Sequence, residues 1–308
     1  MFRAIVALRR SLFRRGILRS ERVRVPVIVV GNITVGGSGK TPLVIALCEA
    51  LHARGWHPCV VSRGYGGTSH APRPVDASDD PAIVGDEPPI VAQAGYPVWI
   101  AHDRPAAARA LLQAHPECDV IVCDDGLQHY ALARDVEIAV IDEARGLGNG
   151  FMLPAGPLRE PESRLGEVDA VVRLVSDERR SDDPHTTYMT QLAEAWRNLR
   201  DASRAADVSQ WRAGGVHAFA GIGNPGRFFA LVRKQGIVAV EHAFPDHHAY
   251  RASDVAWPGA TALLMTQKDA VKCAAFADER FWYLPVRASV DPALIKAVEH
   301  KIRGSKAA

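Results

Sequence analysis

Residues 34–41 read Thr-Val-Gly-Gly-Ser-Gly-Lys-Thr and come just after the apolar run Val27-Ile28-Val29-Val30. A buried strand, a glycine-rich turn and a helix in this order constrain the chain more than any other segment. The eight residues Thr34, Val35, Gly36, Gly37, Ser38, Gly39, Lys40 and Thr41 fit the phosphate-loop pattern G-x-x-x-x-G-K-[ST] except at its first glycine, replaced by Thr34. Glycines let successive backbone N–H groups turn inward on phosphate oxygens. Lys40 then reaches the β- and γ-phosphates of ATP, and the Thr41 hydroxyl reaches Mg²⁺. The helix starting near Pro42 aims its positive end at the anion, and proline suits a first helical turn. A glycine-rich turn without a ligand is the competing reading, and the strand–loop–helix order argues against it.

The rest of the chain predicts an α/β fold. Val27–Val30, Cys59–Ser62, Val98–Ala101, Val120–Cys123 and Ile138–Ile141 are apolar runs separated by helical patterns such as Leu43–Ala53 and Pro105–Ala114. That alternation specifies a P-loop NTPase-like, mostly parallel sheet flanked by helices, with a further strand near Ala170–Leu174. Composition turns polar at Ser176–His185. A second block then alternates strands (Val216–Ala220, Val238–His242, Ala262–Thr266, Trp282–Pro285) with helices (Phe228–Gln235, Pro292–Arg303). The expected organisation is a basic amphipathic N-terminal helix at 1–24, a P-loop domain at 25–185, a linker at 186–205 and a second, smaller α/β domain at 206–308. Thr186–Ala205 reads equally as a two-stranded ribbon or as a helix joining the lobes.

Of the 308 residues, 47% are apolar and 23% charged, the balance of a globular α/β protein, and no apolar run approaches the ~20 residues that a membrane-spanning helix needs. The five cysteines (Cys48, Cys59, Cys118, Cys123, Cys273) have no C-x-x-C spacing and are expected as buried thiols, neither disulfides nor a zinc site. Charge is uneven. Residues 1–24 hold eight arginines against one glutamate, so a chain of net charge +2 carries −5 on its other 284 residues. Phe2, Ile5, Leu8, Leu12 and Phe13 recur at helical spacing among those arginines. Such a helix lies on an anionic membrane surface or packs its stripe against its own domain. No nucleic-acid partner is expected, because no known binding module follows the basic segment.

Several segments offer chemistry. Val120–Cys123 ends in Asp124-Asp125, and a strand-end carboxylate beside a phosphate loop can hold Mg²⁺; alone it would serve equally as a helix cap. Gly126-Leu127-Gln128-His129 follows. In Gly85-Asp86-Glu87-Pro88, Asp86 is either a plain cap or a general base for an acceptor hydroxyl. Phe244-Pro245-Asp246-His247-His248 is a proton relay, a metal ligand or a solvated loop, although adjacent histidines point apart and rarely share one metal. Gly221-Ile222-Gly223-Asn224-Pro225-Gly226 matches G-x-G-x-x-G, so an NAD site and a tight packing turn both fit. Ser62–Gly67 is a glycine-rich loop at a strand end. Leu153–Pro161 holds Arg159 and Glu160 in a proline-rich loop, near the site or as a surface crossover. Thr266-Gln267-Lys268-Asp269 ends a later strand and adds a cation.

Together the strings VPVIVVGNITVGGSGKTP, SRGYGG, GDEP, DDGLQH, LPAGPLREP, AFAGIGNPGRFF, FPDHHAY and TQKDAVKC, in this order, resemble the tetraacyldisaccharide 4′-kinases, a family of lipid A pathway enzymes of Gram-negative bacteria. The resemblance covers most of the chain. It implies ATP-dependent phosphorylation of the 4′-hydroxyl of a tetraacylated glucosamine disaccharide 1-phosphate, a lipid A disaccharide precursor, at the cytoplasmic face of the inner-membrane surface. It implies that Asp86 acts with His247 as the base, that Mg-ATP sits on Lys40, Thr41, Asp124 and Asp125, and that Tyr65, Arg104, His129, Arg159 and Glu160 lie near the site. The rival from another class is a P-loop ATPase that couples hydrolysis to a protein partner, distinguished by whether ATP consumption needs a lipid acceptor. Lys40→Ala is expected to abolish phosphoryl transfer, measured as labelled γ-phosphate released or transferred; near-normal turnover would overturn the phosphate-loop assignment.

Overall fold

The computed structural model describes residues 2–306 apart from 178, 180, 182, 184, 212 and 213, so part of the polar connector Ser176–His185 lies outside the described residues. A helix, α1 (Phe2–Arg14), comes first, and the wholly buried run Val27–Gly31 forms β1. Past the glycine loop follow α2 (Lys40–His52), β2 (Pro58–Ser62), β3 (Arg73–Val75), the short helices α3 (Pro81–Val84) and α4 (Pro88–Gln93), β4 (Val98–Ile100), α5 (Arg104–Ala114), β5 (Val120–Asp124), β6 (Val136–Asp142) and β7 (Ala170–Val175). The chain continues through β8 (Thr186–Ala193), β9 (Trp196–Asn198), β10 (Ala205–Ala206), β11 (Val216–Ala220), α6 (Pro225–Lys234) and β12 (Val240–Ala243). It ends with β13 (Ala262–Thr266), α7 (Gln267–Cys273), β14 (Phe281–Leu284), β15 (Val286–Val290) and α8 (Pro292–Lys306).

These strands form two sheets. The larger has nine strands in the order β15-β8-β7-β6-β1-β5-β2-β4-β3, parallel from β8 to β4 with an antiparallel strand on each edge. The smaller has six, in the order β10-β9-β14-β13-β11-β12, of which the last four are parallel. This is the α/β architecture that the alternating pattern predicts. Strand period two sends Ile28 and Val30 to one face of the large sheet and Val27 and Val29 to the other. On the first face they meet Leu43, Leu47 and Leu51 of α2; on the second, Ala107 and Leu111 of α5. All five cysteines are buried and free, as expected.

The stretch 186–205 is not a separate linker. β8 pairs with β7 in the large sheet, and β9 and β10 belong to the small one. The block 206–308 does not stay together either. β15 returns to pair antiparallel with β8, from Val286↔Ala193 to Val290↔Met189. Leu294, Ile295, Val298 and Ile302 of α8 then pack into the same core as Leu43 and Leu47. The apolar face of α8 needs cover, and α2 supplies it beside the large sheet. The chain therefore crosses between sheets twice, side by side, and the Glu194 N–H donates to the Pro285 carbonyl at 3.0 Å across the two crossings.

No residue of α1 is buried. Its arginines hold it to the body: Arg10 and Arg14 both pair with Glu167, and Arg9 donates to the Gln128 carbonyl at 2.9 Å. Phe13 packs on Tyr130 with ring centroids 5.8 Å apart. Ile5 and Leu8 stay 54% and 61% exposed, so the apolar stripe only partly covers its own domain. Among the described residues no helix is long and apolar enough to cross a membrane.

Candidate active site

Ligands of parallel α/β sheets bind beyond the carboxyl ends of the strands. Here β1 and β5 are parallel neighbours in the register Val30↔Asp124, so the loop after β1 and the acids after β5 emerge side by side. Lys40, the first residue of α2, has its Nζ 3.5 Å from Asp125 Oδ1, and it and Thr41 are both buried. Gly39 takes φ of 82°, which turns the loop into the helix without strain.

The proline-rich segment Leu153–Pro161 is part of this site rather than a surface crossover. Leu158 bridges to Thr34, the Val35 N–H donates to the Pro157 carbonyl at 2.9 Å, and the Arg159 N–H donates to the Ile33 carbonyl at 2.7 Å. The loop thus braces the phosphate loop along its outer side. Arg159 also reaches inward, with Nη1 3.3 and 3.2 Å from the two Asp125 oxygens.

The two adjacent carboxylates differ in state. Burial would raise Asp125, but Lys40 and Arg159 outweigh it and hold the group at about 2. Burial, with Glu87 nearby, pushes Asp124 up to about 7 despite Lys40. Its Oδ1 is buried without a hydrogen-bond partner. A buried carboxylate oxygen lacking a donor fits a divalent cation, and Thr41, next to Lys40 at the start of α2, offers a hydroxyl. Among the described residues no cluster of three acidic, histidine or cysteine side chains forms a complete cage. A cation here would take its remaining ligands from phosphate and water, as Mg²⁺ with bound nucleotide does. The residues present therefore fit Mg²⁺.

A second group of side chains faces this one. Gly85 takes φ of 85°, and a Cβ there would lie 2.5 Å from the Tyr65 carbonyl oxygen. The Gly85-Asp86 turn is thereby packed tightly on the Ser62–Gly67 loop. Asp86 accepts from His247 Nδ1 at 2.9 Å, and the Tyr65 and His247 rings lie 5.0 Å apart. Burial would raise Asp86, but the bond from His247 and the charge of Lys268 prevail and keep its carboxyl below the usual range. His248 turns the other way and bonds Asp254 at 3.2 Å, as adjacent histidines should. Both Asp125 and His247 have positive φ, 48° and 60°. Non-glycine residues rarely adopt this conformation, and it concentrates at functional sites.

The other expected residues are dispersed. Arg104 is buried and donates through Nη1 to the Ala101 carbonyl at 3.0 Å, and its backbone N–H donates to His129 Nε2 at 3.3 Å. Burial, reinforced by Arg104 and Arg134, pushes His129 down to about 3, so it is a neutral acceptor. Glu160 is fully buried, and its carboxylate accepts from Gln128 and Tyr130 and faces Arg10 of α1. It ties α1 to the body.

The Gly221–Gly226 turn faces the phosphate loop from the small sheet. A Cβ on Gly223 would lie 2.6 Å from the Gly37 nitrogen, so close approach accounts for that glycine. Asn224 caps α6 by accepting from the Arg227 N–H. Three residues not anticipated from sequence join here. Arg227 pairs with the buried Asp142 at the end of β6, and the Arg145 guanidinium lies against Gly36. Asp142 had the same signal as Asp124, an acid ending an apolar run; nothing marks the two arginines. A cavity of about 190 Å³ opens between the sheets, lined among others by Lys40, Thr41, Glu87, Gly223, Arg227 and Lys268.

Sequence and structure comparisons agree on relatives. The family profile described as Tetraacyldisaccharide-1-P 4′-kinase matches residues 1–303. The tetraacyldisaccharide 4′-kinase of Azoarcus sp. (strain BH72) is 51% identical over 294 residues, covering 94% of this chain and 86% of that protein. The protein of the same name from Methylobacillus flagellatus is 46% identical over 300 residues, covering 97% and 88%. The crystal structure of the "apo" form of LpxK from Aquifex aeolicus in complex with ATP superposes with a TM-score of 0.79 at 28% identity, covering 98% of this chain and 96% of that one.

Asp124 supplies a pH test. A carboxyl raised to about 7 in the folded state binds more protons than the unfolded chain above pH ~4, so it lowers stability as pH rises toward neutrality. Asp124→Asn should therefore gain stability relative to the unsubstituted, metal-free protein between about pH 4 and pH 8, by on the order of 1–3 kcal/mol at the upper end. Denaturant unfolding curves that stay parallel across this range would refute it.

Proposed function

We propose, for a chain that belongs to the tetraacyldisaccharide-1-P 4′-kinase family, that this site transfers the γ-phosphoryl group of ATP to the 4′-hydroxyl of a tetraacylated glucosamine disaccharide 1-phosphate, a step of lipid A biosynthesis. The observation that carries the reading is the opposition of two differently equipped sides. One is the phosphate loop with Lys40 and the Asp124-Asp125 pair; the other is the Asp86–His247 pair across the cleft.

The loop amides of residues 34–41 and Lys40 hold the triphosphate. Thr41 with Asp124 and Asp125 would hold Mg²⁺, which when bound offsets charge on the β- and γ-phosphates. Asp86 accepts the proton of the 4′-hydroxyl as that oxygen bonds to the γ-phosphorus and the bond to the β-bridging oxygen breaks, releasing ADP. His247 lies within hydrogen-bond distance of both Asp86 oxygens through Nδ1, at 3.2 and 2.9 Å, and fixes the orientation of that carboxylate toward the acceptor. A positioned base of this kind is worth roughly 10²–10⁴-fold in rate. Arg159 keeps Asp125 ionised. Phosphoryl transfer depends on alignment more than covalent chemistry, so bringing the two sheets together is the main task.

An acceptor with acyl chains sits in a bilayer, and in this reading the reaction runs at the cytoplasmic face of the inner membrane. In this reading α1 docks there peripherally, its exposed Ile5 and Leu8 entering the headgroup region and its arginines meeting anionic lipid.

Asp86→Asn should cut transfer of labelled γ-phosphate to the lipid acceptor by at least about 10²-fold while ATP affinity stays within about threefold. Lost ATP binding would instead make Asp86 part of the nucleotide site, and acceptor-independent ATP consumption by the unsubstituted protein would favour an ATPase. Ile5→Asp combined with Leu8→Asp should abolish flotation with anionic vesicles and spare ATP binding. Unchanged flotation would remove α1 from the membrane.

A further inference from the structure

Lys268 stands at the meeting of both sides of this cleft. It is the second residue of α7, directly beyond β13 of the small sheet, and its side chain is only 15% exposed. Its Nζ lies 3.2 Å from Glu87 Oε1, 3.7 Å from Asp86 Oδ2 and 3.7 Å from Asp246 Oδ1. His247 Nε2 is 3.5 Å away. Glu87 and Asp86 come from the turn between α3 and α4, under the large sheet; Asp246 and His247 come from the loop after β12. One ammonium thus lies among three carboxylates from two segments that must meet for the site to form. Burial would lower Lys268, but Glu87, Asp86 and Asp246 hold it well above the ordinary lysine value, so it stays charged.

The contact with His247 fixes a tautomer. A carboxylate only accepts, so Nδ1, 2.9 Å from Asp86, carries the ring proton. An ammonium only donates, so Nε2 facing Lys268 at 3.5 Å presents its lone pair, with the Asp246 carboxylate farther off at 3.8 Å from the same nitrogen. The nearby alternative, Lys272, is committed elsewhere: its Nζ lies 2.8 Å from Asp269 Oδ1 and 3.4 Å from the Gly221 carbonyl. Tyr65 covers the ring of His247 and brings no charge there.

We propose that Lys268 is the positioning residue of the base, holding His247 in its Nδ1–H form and Asp86 as a free carboxylate until the acceptor's proton arrives. This deepens the reading above and rests on Asp86 as the base. It also gives the small sheet a direct part in proton transfer. Without Lys268 the Asp86–His247 pair would lose its adjacent cation and be left among the carboxylates of Glu87 and Asp246, which favours the pair as a unit holding an extra proton.

Steady-state assays with the tetraacylated disaccharide 1-phosphate from about pH 5.5 to about pH 9 test this, because the acid limb of the rate profile belongs to the Asp86–His247 pair as a unit. Lys268→Met should lower kcat about 10- to 100-fold near neutrality, leave the acceptor KM within about threefold, and move the acid limb up by about one pH unit. Lys268→Arg keeps the charge and should hold the limb in place with part of kcat restored; it carries the test if the Met variant does not fold. Loss of kcat by one factor at every pH, or weaker ATP binding with an unmoved limb, would overturn the proposal and make Lys268 structural or a phosphate ligand. A Lys268→Arg limb displaced upward would overturn it too. Asp86→Asn run alongside separates the two levels. If that variant keeps its turnover, the base assignment fails; if it loses turnover while Lys268→Met keeps the original limb, only the role of Lys268 fails.

Discussion

The contact between Lys40 and Asp125 is possible because β1 and β5 are parallel neighbours, with Val30 level with Asp124, so that both chains leave the sheet at the same edge. Parallel pairing needs helices as crossovers, so the carboxyl edge of the sheet collects the ends of α-helices and the loops that precede them. The phosphate loop and the acidic pair therefore cannot be placed independently. A shift of β5 against β1 would separate the lysine from the carboxylate and leave Asp125 with Arg159 alone.

Charge balance organises the rest. Asp125 is neutralised twice, by Lys40 and Arg159, while the adjacent Asp124 is left with a buried oxygen lacking a donor. The protein thus holds one carboxylate ionised by its own cations and leaves the other able to bind an added one. The same division recurs across the cleft, where Lys268 supplies the positive charge that Asp86, Glu87 and Asp246 lack. Buried charges without such partners are costly, so these pairings constrain geometry as strongly as packing does.

The two sheets are joined by a pair of adjacent crossings and touch again at charged contacts, among them Arg227 with Asp142, Lys268 with Glu87 and His247 with Asp86. The two crossings are short and run antiparallel, one leading into the small sheet and the other back out of it. With the sheets so joined, His247 of one side already bonds Asp86 of the other, which suits a kinase that must favour an alcohol over water.

Much of this was legible in the chain. Continuous apolar runs alternating with helical patterns specified the parallel sheet, and the glycine pattern before Lys40 pointed to the turn between β1 and α2 as a phosphate-binding candidate, because both depend on local backbone physics. The acidic end of β5 was legible for the same reason. Other features were decided only in three dimensions. Nothing local in Pro292–Lys306 says that α8 covers α2, since an apolar face records a need for burial but not the surface that meets it. The spacing of Asp86 and His247, 161 positions apart, carried no information about their hydrogen bond; only the family likeness linked them. Glu160 sits beside Arg159 in sequence yet turns to α1, because neighbouring side chains on an extended loop point to opposite sides. Strand, turn and helix were written in the order of residues, whereas pairings between distant charges waited for the two sheets to face one another.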